Sequence, residues 1–398
     1  MFKTTLMTLI SSIFVLLFVA LITGELLNRV GIPSVVGELL TGLILGPAVL
    51  KIVYPNQVFD GISEIALFFI VLLIGIEATT DSLLKNYKPA LVFTVTSFIV
   101  PVIAMVIVSM FIFHLGYISA IVISVAVGVP SISIISVILK NYGMLRIRAG
   151  NIILASVVIT DIIAFAVASI FSNPKALYYE VPGIVIFMIL FFTLDMVVRK
   201  HSRQVVNLFT RLHATERGEK IIFGSIILSG LVIASLFEII GITYVLGAFF
   251  AGIIISDVVV GRELQGILTR TLSRINDSFF IPIFFAIAGL DTVLPPINDI
   301  YLMLILVAVG VALSVPLDYF YGRTVFQHIS AKTGVGIFGG RGAVGIVIAT
   351  VALSSAIITK GLFSVVVFAT LILSICLPPL VSKKEIHIPE ESSELLYY

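Results

Sequence analysis

Residues 151–168 read Asn-Ile-Ile-Leu-Ala-Ser-Val-Val-Ile-Thr-Asp-Ile-Ile-Ala-Phe-Ala-Val-Ala, an apolar run of membrane length with one carboxylate, Asp161, near its middle. An acid at the centre of the hydrocarbon layer costs about 3 kcal/mol on insertion scales, and such acids usually serve ion or proton movement. The plainer alternative is an acid that caps or pairs with a neighbouring helix. We therefore predict a transmembrane helix here, with Asp161 at the centre of a transport site.

The chain as a whole has the composition of a polytopic membrane protein. Its 398 residues are 59% hydrophobic and 12% charged, with a mean hydropathy of +1.21, whereas a soluble domain is about a quarter charged. One Cys and no repeated Cys/His spacing argue against a disulfide framework or a zinc site. The net charge of +2 comes with scattered basic residues, so it predicts no nucleic-acid partner. We expect no cofactor.

Apolar runs of about 20 residues, the length that spans hydrocarbon as a helix, predict an all-α fold with about 13 transmembrane helices. The approximate spans are 5–28, 33–50, 61–79, 88–113, 117–140, 147–171, 181–199, 219–239, 243–258, 277–294, 299–322, 333–357 and 361–381. The first has no small-residue cleavage site after it, so we expect a retained helix and not a signal peptide. The polar stretch 261–274 predicts an amphipathic segment on the membrane surface.

The distribution of basic residues predicts the orientation, because Lys and Arg accumulate in cytoplasmic loops. With 13 spans, nineteen of the 24 basic residues lie on the side of the C-terminus and four on the other side, and Arg341 lies inside a span. The N-terminus is therefore predicted outside, and the C-terminus, with a short tail at 382–398, in the cytoplasm. We expect a multi-pass protein of the plasma membrane.

An internal repeat relates the two halves of the chain. Residues 28–42 align without gaps with 238–252 at an offset of 210, and five positions are identical, namely Gly31/Gly241, Ile32/Ile242, Val35/Val245, Gly37/Gly247 and Gly42/Gly252. The motif Phe68-Phe-Ile…Gly75-Ile-Glu77 likewise matches Phe279-Phe-Ile…Gly289-Leu-Asp291, with a shift of three residues between its parts.

These matches pair the second span with the ninth and the third with the tenth, a displacement of seven helices. Because seven is odd, equivalent helices cross the membrane in opposite directions, so we predict that the two halves are inverted relative to each other. We predict one integral membrane transporter domain with repeat one at about 5–171, a linker helix at 181–199 and repeat two at about 219–381. Inverted repeats are typical of secondary transporters, whose binding site lies between them near the midplane.

Two spans are predicted to be broken helices, the kind that builds such sites. The fifth carries Gly128-Val-Pro-Ser-Ile-Ser133, where Pro130 removes a backbone donor. The twelfth carries six glycines within residues 334–345. At an offset of 211, Gly128 falls on Gly339 and Pro130 on Arg341, so we expect the two breaks to cross beside Asp161.

Several short motifs occur in an order that is typical of one family of transporters. They are Gly37-Glu-Leu-Leu-Thr-Gly-Leu-Ile-Leu-Gly-Pro47, Gly75-Ile-Glu77, Pro130-Ser131, an Asp in the next helix, Gly247-Ala-Phe-Phe-Ala-Gly252, Phe284-Phe…Gly289-Leu-Asp291 and Gly340-Arg-Gly-Ala-Val-Gly345. Together they resemble the monovalent cation:proton antiporters, specifically the second cation:proton antiporter family of sodium/proton and potassium-efflux exchangers. The resemblance covers residues 20 to 380.

The resemblance implies a homodimer of thirteen-helix protomers, each with a dimerisation domain and a core domain that moves like an elevator. Asp161 would be the acid that alternately binds proton and cation. Two departures matter. Many relatives have Asp-Asp or Asn-Asp where this chain has Thr160-Asp161, and electrogenic members pair their Asp-Asp with a Lys, whereas the tenth span here has no Lys or Arg.

The residues also predict a mechanism without the family. A carboxylate that leaves water favours its protonated form, whereas sodium or potassium at Asp161 would need the carboxylate ionised, so proton and cation compete. Thr160, Ser131, Ser133 and carbonyls freed near Pro130 could supply further oxygen ligands, which hard cations prefer. A single acid favours exchange of one proton for one cation, which is electroneutral.

Two other charges are candidates for the core. Arg341 either pairs with an acid or neutralises the dipole at the end of a broken half-helix, and we favour a structural role for it. Glu77 either lines a cytoplasmic funnel or binds the ion, although a loop-end acid beside Lys85 and Lys88 is the simpler interpretation.

Other classes of membrane protein fit less well. An aspartyl protease would need a second acid in a Gly-x-Gly-Asp context, and a rhomboid-like protease a His at membrane depth. A channel usually gains selectivity from rings formed by several subunits. A proton-coupled anion or organic-acid transporter is the alternative, because the N-termini of broken helices can hold carboxylates, but Asp161 would repel an anion unless it is protonated.

Overall fold

A computed structural model of the chain describes residues 2–30, 32–77, 88–130, 148–172, 216–239, 243–254, 262–324 and 341–377, together with residues 135, 139, 336 and 339. The predicted spans at 181–199 and the tail at 382–398 lie outside these ranges. All regular elements in the described ranges are helices, and one isolated bridge joins Pro130 to Arg341. The predicted all-α class is confirmed.

The first half of the sequence contains six α-helices and a further helical stretch at 88–94 among the described residues. The six are α1 (Phe2–Arg29), α2 (Ser34–Leu45), α3 (Gln57–Glu77), α4 (Val100–Phe111), α5 (Tyr117–Gly128) and α6 (Arg148–Ser172). Local sequence explains several ends. Pro33 precedes α2 and Gly46 follows it, and the side chain of Asn56 caps α3 by accepting the amides of Val58 and Phe59 at 3.0 and 3.1 Å.

The second half contributes seven further α-helices to the described ranges. They are α7 (Glu216–Ile239), α8 (Tyr244–Ile254), α9 (Arg262–Ile275), α10 (Ile281–Asp291), α11 (Ile297–Thr324), α12 (Ala343–Ser354) and α13 (Lys360–Cys376). The polar stretch predicted to be amphipathic is α9, whose Leu268 and Leu272 are buried while Arg270 and Arg274 are exposed. Its place on the membrane surface stays a prediction.

Six described helical stretches are long and apolar enough to cross a membrane. They are Leu9–Arg29, Gln57–Ile76, Lys88–Phe111, Ala149–Phe171, Lys220–Ile239 and Ile297–Ser314. Five shorter apolar helices accompany them, including α5 and α12, which carry the predicted breaks. These elements fall within the predicted spans to within a few residues. The total of 13 spans stays a prediction.

Short π-helical segments precede α4 and α10, at Val95–Ile99 and Asn276–Phe280. Each is followed within two residues by a proline, Pro101 or Pro282. Because proline has no amide hydrogen, the carbonyl one turn earlier loses its usual donor, and the backbone locally adopts the wider turn instead. The amide of Val100 accordingly bonds to the carbonyl of Val95, five residues back.

The chain divides into two compact units. The first comprises Met1–Asp60, Asp81–Ala164 and Phe285–Tyr398, and the second comprises Gly61–Thr80 and Phe165–Phe284. Each unit takes segments from both halves of the sequence, so this division differs from the two sequence repeats. The boundaries pass within α3, α6 and α10.

The repeat is visible in how glycines pack within each unit. In the first unit, a Cβ built on Gly42 of α2 would lie 2.8 Å from the Cα of Gly289 in α10. In the second unit, a Cβ built on Gly252 of α8 would lie 2.7 Å from the Cα of Gly75 in α3. Gly42 corresponds to Gly252, and Gly75 to Gly289, in the sequence repeat. Two equivalent helix pairs therefore cross at equivalent glycines, where no side chain would fit.

Two further contacts join residues that are each other's equivalents in the repeat. Phe69 stacks on Phe280 in the second unit, with ring centroids 4.6 Å apart. Pro130 pairs with Arg341 in the first. The two residues of each pair are 211 positions apart, the offset at which the sequence repeat aligns them. Such a contact is expected where a local pseudo-two-fold axis passes between equivalent residues. The opposite membrane orientation of the halves stays a prediction.

Candidate functional site

The carboxylate of Asp161 lies within α6 and is completely buried, with 0% of the residue exposed. Among the described residues, neither of its oxygens has a hydrogen-bond partner. A buried carboxylate without partners is costly when ionised. The described surroundings of Asp161 therefore favour either a bound proton or a bound cation.

One turn before Asp161, the backbone of α6 is held by side-chain hydroxyls. Thr160 donates its hydroxyl to the carbonyl of Ser156 at 2.8 Å, and Thr94 donates to the same carbonyl at 3.2 Å. The hydroxyl of Ser156 donates to the carbonyl of Ile153 at 2.7 Å. These bonds use the hydroxyl protons, so the oxygen lone pairs of Ser156 and Thr160 remain available to a ligand.

The two predicted breaks meet in the first unit. The helix α5 ends at Gly128, and the chain continues through extended Val129 to Pro130, which pairs with Arg341. The helix α12 begins at Ala343, two residues after Arg341. The hydroxyl of Ser374 in α13 donates to the carbonyl of Arg341. The expectation that the breaks at Pro130 and Arg341 lie together is confirmed.

The breaks bring helix ends of opposite polarity into one place. The last carbonyls of α5 form a partially negative C-terminus, and the first amides of α12 form a partially positive N-terminus. Gly345 lets α12 approach this end closely, because a Cβ there would collide with the carbonyl oxygen of Ala126 in α5. Arg341 lies two residues before α12 and beside the chain that leaves α5, where a cation favours the α5 dipole.

A small cavity of about 10 Å³ lies at this crossing. Its lining residues are Phe93, Ser97, Phe98, Pro130, Ser156, Val157, Thr160, Ser314 and Arg341. The volume suffices for about one water molecule or one bare ion. Asp161 itself does not line the cavity. It follows Thr160, which does, so the buried acid is the next residue in the chain after a residue of the cavity lining.

The structure thus brings three of the predicted site residues to one cavity, buries a fourth, Asp161, next to them in the chain, and leaves three undetermined. Thr160, Pro130 and Arg341 line one cavity, and Asp161 is adjacent in sequence to Thr160. Ser131 and Ser133 lie outside the described residues, and Glu77 is the last residue of α3, with its side chain outside the description. Sequence reasoning missed Ser97, Ser156 and Ser314, since a serine in an apolar helix does not reveal which side faces a cavity.

Comparison with protein families gives one match over almost the whole chain. The model of the family described as "Sodium/hydrogen exchanger, transmembrane" matches residues 13–383. Similar proteins include the Na(+)/H(+) antiporter of Enterococcus hirae, which is 26% identical over 95% of this chain and 98% of its own length. The Na(+)/H(+)-K(+) antiporter GerN of Bacillus cereus is 26% identical over 90% of this chain and 92% of its own length.

Solved structures show the same fold. The sodium proton antiporter MjNhaP1 from Methanocaldococcus jannaschii superposes with a TM-score of 0.66, over 94% of this chain and 98% of that chain. The sequence identity is 16%. The likeness therefore establishes the architecture, while the chemistry rests on the residues of this chain.

Proposed function

Because the chain belongs to the sodium/hydrogen exchanger family, we propose that it is an antiporter that exchanges protons for a monovalent cation by alternating access. Sodium is the proposed cation, since relatives over most of the chain are named Na(+)/H(+) antiporters. Potassium is the second candidate, because GerN is named for both. The observation that carries the proposal is the completely buried carboxylate of Asp161, the residue that follows Thr160 on the lining of the cavity at the two chain breaks.

The buried carboxylate explains how one site couples two ions. An ionised carboxylate in this buried environment is costly unless a cation binds to it. A protonated carboxyl group is neutral and gives a cation no charge to bind. Proton and cation therefore exclude each other at Asp161. Thr160, whose hydroxyl proton is already donated to the Ser156 carbonyl, would be a cation ligand, together with carbonyls near Pro130 and the hydroxyls of Ser131 and Ser133.

The single acid bears on the stoichiometry. Asp161 is neutral with a proton and equally neutral, as a carboxylate, with one bound monovalent cation, and the guanidinium of Arg341 stays charged at every physiological pH and adds the same charge to both states. The two loaded states then carry the same charge through the membrane. This favours exchange of one proton for one cation without net charge movement, and Arg341 acts as a fixed structural charge and not as an ion ligand.

The proposal is tested by cation-driven proton movement in proteoliposomes with a pH-sensitive dye, across sodium, lithium and potassium. The parent should dissipate an imposed pH gradient when its cation is added, whereas Asp161→Asn should not. Asp277→Asn is a matched control, because this carboxylate is exposed and accepts a hydrogen bond from Ser273. Equal activity of parent and Asp161→Asn would make Asp161 a structural acid.

An anion or organic-acid transporter is the second candidate, favoured by Arg341 on the cavity and by the N-terminus of α12 two residues later. Positive groups of this kind hold carboxylates in other transporters. In the same proteoliposomes, proton movement that needs an organic anion and ignores every alkali cation would support this reading and remove the first.

The membrane arrangement is part of the proposal. We place the protein in the plasma membrane as a homodimer with a cytoplasmic C-terminus, and α1 leaves Phe14 and Phe18 more than half exposed for lipid or a second protomer. In a Cys376→Ser background, Lys51→Cys should react with an impermeant maleimide from outside and Arg29→Cys from inside. The reverse pattern would contradict the predicted orientation.

A further inference from the structure

Four residues with hydroxyl groups line the cavity at the crossing, and their hydroxyl groups share one hydrogen-bonding state. Each donates its proton to a backbone carbonyl about one turn earlier in its own helical segment. The bonds run from Ser97 to Phe93 (2.6 Å), from Ser156 to Ile153 (2.7 Å), from Thr160 to Ser156 (2.8 Å) and from Ser314 to Gly310 (2.7 Å). Since a hydroxyl has a single proton, each of these oxygens can only accept from whatever occupies the cavity.

These hydroxyls come from three separate parts of the fold. Ser156 and Thr160 lie on α6, Ser97 lies in the π-helical segment before α4, and Ser314 lies on α11. The remaining lining is apolar except for Arg341, and Pro130 has no amide hydrogen. The cavity is thus a small space lined by four hydroxyl-bearing residues from three parts of the fold.

We propose that this cavity is a cation subsite, where hydroxyl oxygens replace part of the hydration shell of the transported ion next to Asp161. The inference rests on the proposed exchange function and adds Ser97 and Ser314 to its machinery. Hard monovalent cations prefer oxygen ligands, and the volume accommodates one bare ion or one water. A single water can donate only two hydrogen bonds, so it would leave two of the four oxygens without a partner from the cavity.

The protonation of Asp161 then decides when the subsite fills. The guanidinium of Arg341 also lines the cavity, and like charges in a buried site repel. An ionised Asp161 lowers the electrostatic cost of a cation at this site, and a protonated Asp161 does not. Entry of the cation is therefore coupled to departure of the proton.

The first test removes single hydroxyls that lie outside α6. Ser97→Ala and Ser314→Ala should each raise the half-saturating sodium concentration about tenfold, the order expected for loss of one polar contact to a charge, and should leave the maximal rate near that of the parent. The carbonyl of Phe93 also accepts a hydrogen bond from the hydroxyl of Thr96 at 3.1 Å, and Gly310 lies inside α11, so folding should be little affected.

Matched controls make the same chemical change away from the cavity. Ser229 donates to the carbonyl of Ile226 at 2.8 Å, and Thr96 donates to that of Val92 at 3.0 Å, yet neither lines the cavity. Ser229→Ala and Thr96→Val should leave the half-saturating concentration within about twofold of the parent, a difference smaller than the loss of one ordinary hydrogen bond.

A second variant of Ser314 tests ion selectivity, which would not change if this residue had only a structural role. Ser314→Cys keeps the shape of the side chain but replaces a hard oxygen with a soft sulfur. The preference for sodium over thallium(I), measured by competition in the same assay, should fall about tenfold or more if Ser314 contacts the ion. An unchanged preference would overturn the assignment of Ser314.

The outcomes separate this inference from the proposed function. If Asp161→Asn is inactive while the Ser97 and Ser314 variants match the parent in half-saturating concentration and selectivity, the exchange function stands and the subsite is wrong, with water as the occupant of the cavity. If Asp161→Asn exchanges cations normally, Asp161 is a structural acid and the site next to it fails. If the parent moves no protons with any alkali cation, the proposed function itself fails.

Discussion

Replacing Gly345 with alanine should disrupt the crossing of the two broken helices. Gly345 is the third residue of α12, and a Cβ there would overlap the carbonyl oxygen of Ala126 and lie 3.3 Å from its carbonyl carbon. Non-bonded carbon atoms rest about 3.5–4.0 Å apart, and neither partner is the end of a flexible side chain. The N-terminus of α12 would therefore have to move away from α5 by about 1 Å.

The structure sets the expected size of both effects. Overpacking of this kind costs about 1–3 kcal/mol, which for a chain of this length lowers the unfolding midpoint in detergent by about 1–4 °C. Displacement of a site element by about 1 Å can reduce turnover about 100-fold, so cation-driven proton movement should fall by one to two orders of magnitude in folded protein. Both quantities can be measured on one purified preparation.

Gly224→Ala in α7 is the control, because no atom lies within 4 Å of a Cβ built there. Alanine is a better helix former than glycine by about 1 kcal/mol, so this variant should be as stable as the parent or slightly more stable, with normal transport. If Gly345→Ala shows parental stability and parental transport, the two broken helices are not packed as tightly as the structure indicates.

Three further predictions concern the repeat and one ion pair. Gly42→Ala should lower the unfolding midpoint through overpacking of about 1–3 kcal/mol, because its Cβ would lie 2.8 Å from a neighbouring glycine Cα; an unchanged midpoint would contradict the close crossing. A double-mutant cycle of Phe69→Leu and Phe280→Leu, read by thermal unfolding, should give a coupling of about 0.5–1.5 kcal/mol, and zero coupling would argue against the stack. Lys360 and Asp291, 2.7 Å apart with the lysine half exposed, should contribute at most about 1 kcal/mol, so Lys360→Ala should lose less stability in high salt than in low salt.

The sequence carried most of the architecture because the membrane leaves few alternatives. Apolar runs of spanning length must form helices, since an unpaired backbone group is costly in hydrocarbon, and the described helices follow those runs. The repeat could be recognised in the sequence because a glycine at a close helix crossing cannot be replaced by a larger residue without steric overlap. Gly42, Gly75, Gly252 and Gly289 mark contacts that the structure then shows.

The two breaks could also be predicted, because Pro130 and the glycines around Arg341 interrupt helices for local reasons. Their pairing followed from the repeat offset and is confirmed by the bridge between Pro130 and Arg341. The fifth span was predicted as a broken helix with its break at Gly128–Ser133, and α5 ends at Gly128. Some bounds were less accurate, since local composition does not say where a helix ends inside an apolar run. The eleventh span was predicted at 299–322, whereas α11 covers Ile297–Thr324.

The hydroxyl lining of the cavity could not be predicted from the sequence. A serine in an apolar helix commonly donates its hydroxyl proton to the carbonyl one turn earlier. Its hydrogen-bond donor therefore has a partner whichever side of the helix it lies on. Ser229 on α7 and Ser314 on α11 make the same local bond, but only Ser314 lines the cavity. Which of them faces a cavity depends on helix packing, and no local pattern records it.

The central claim is that proton and cation compete for Asp161, and the most direct test counts the protons released when the cation binds. Calorimetric titration of the purified protein with sodium in two buffers of different ionisation enthalpy gives this number. We predict release that approaches one proton per cation at low pH and falls towards zero as pH rises, with no release from Asp161→Asn. Sodium binding without proton release at every pH, or equal release from Asp161→Asn, would contradict the claim.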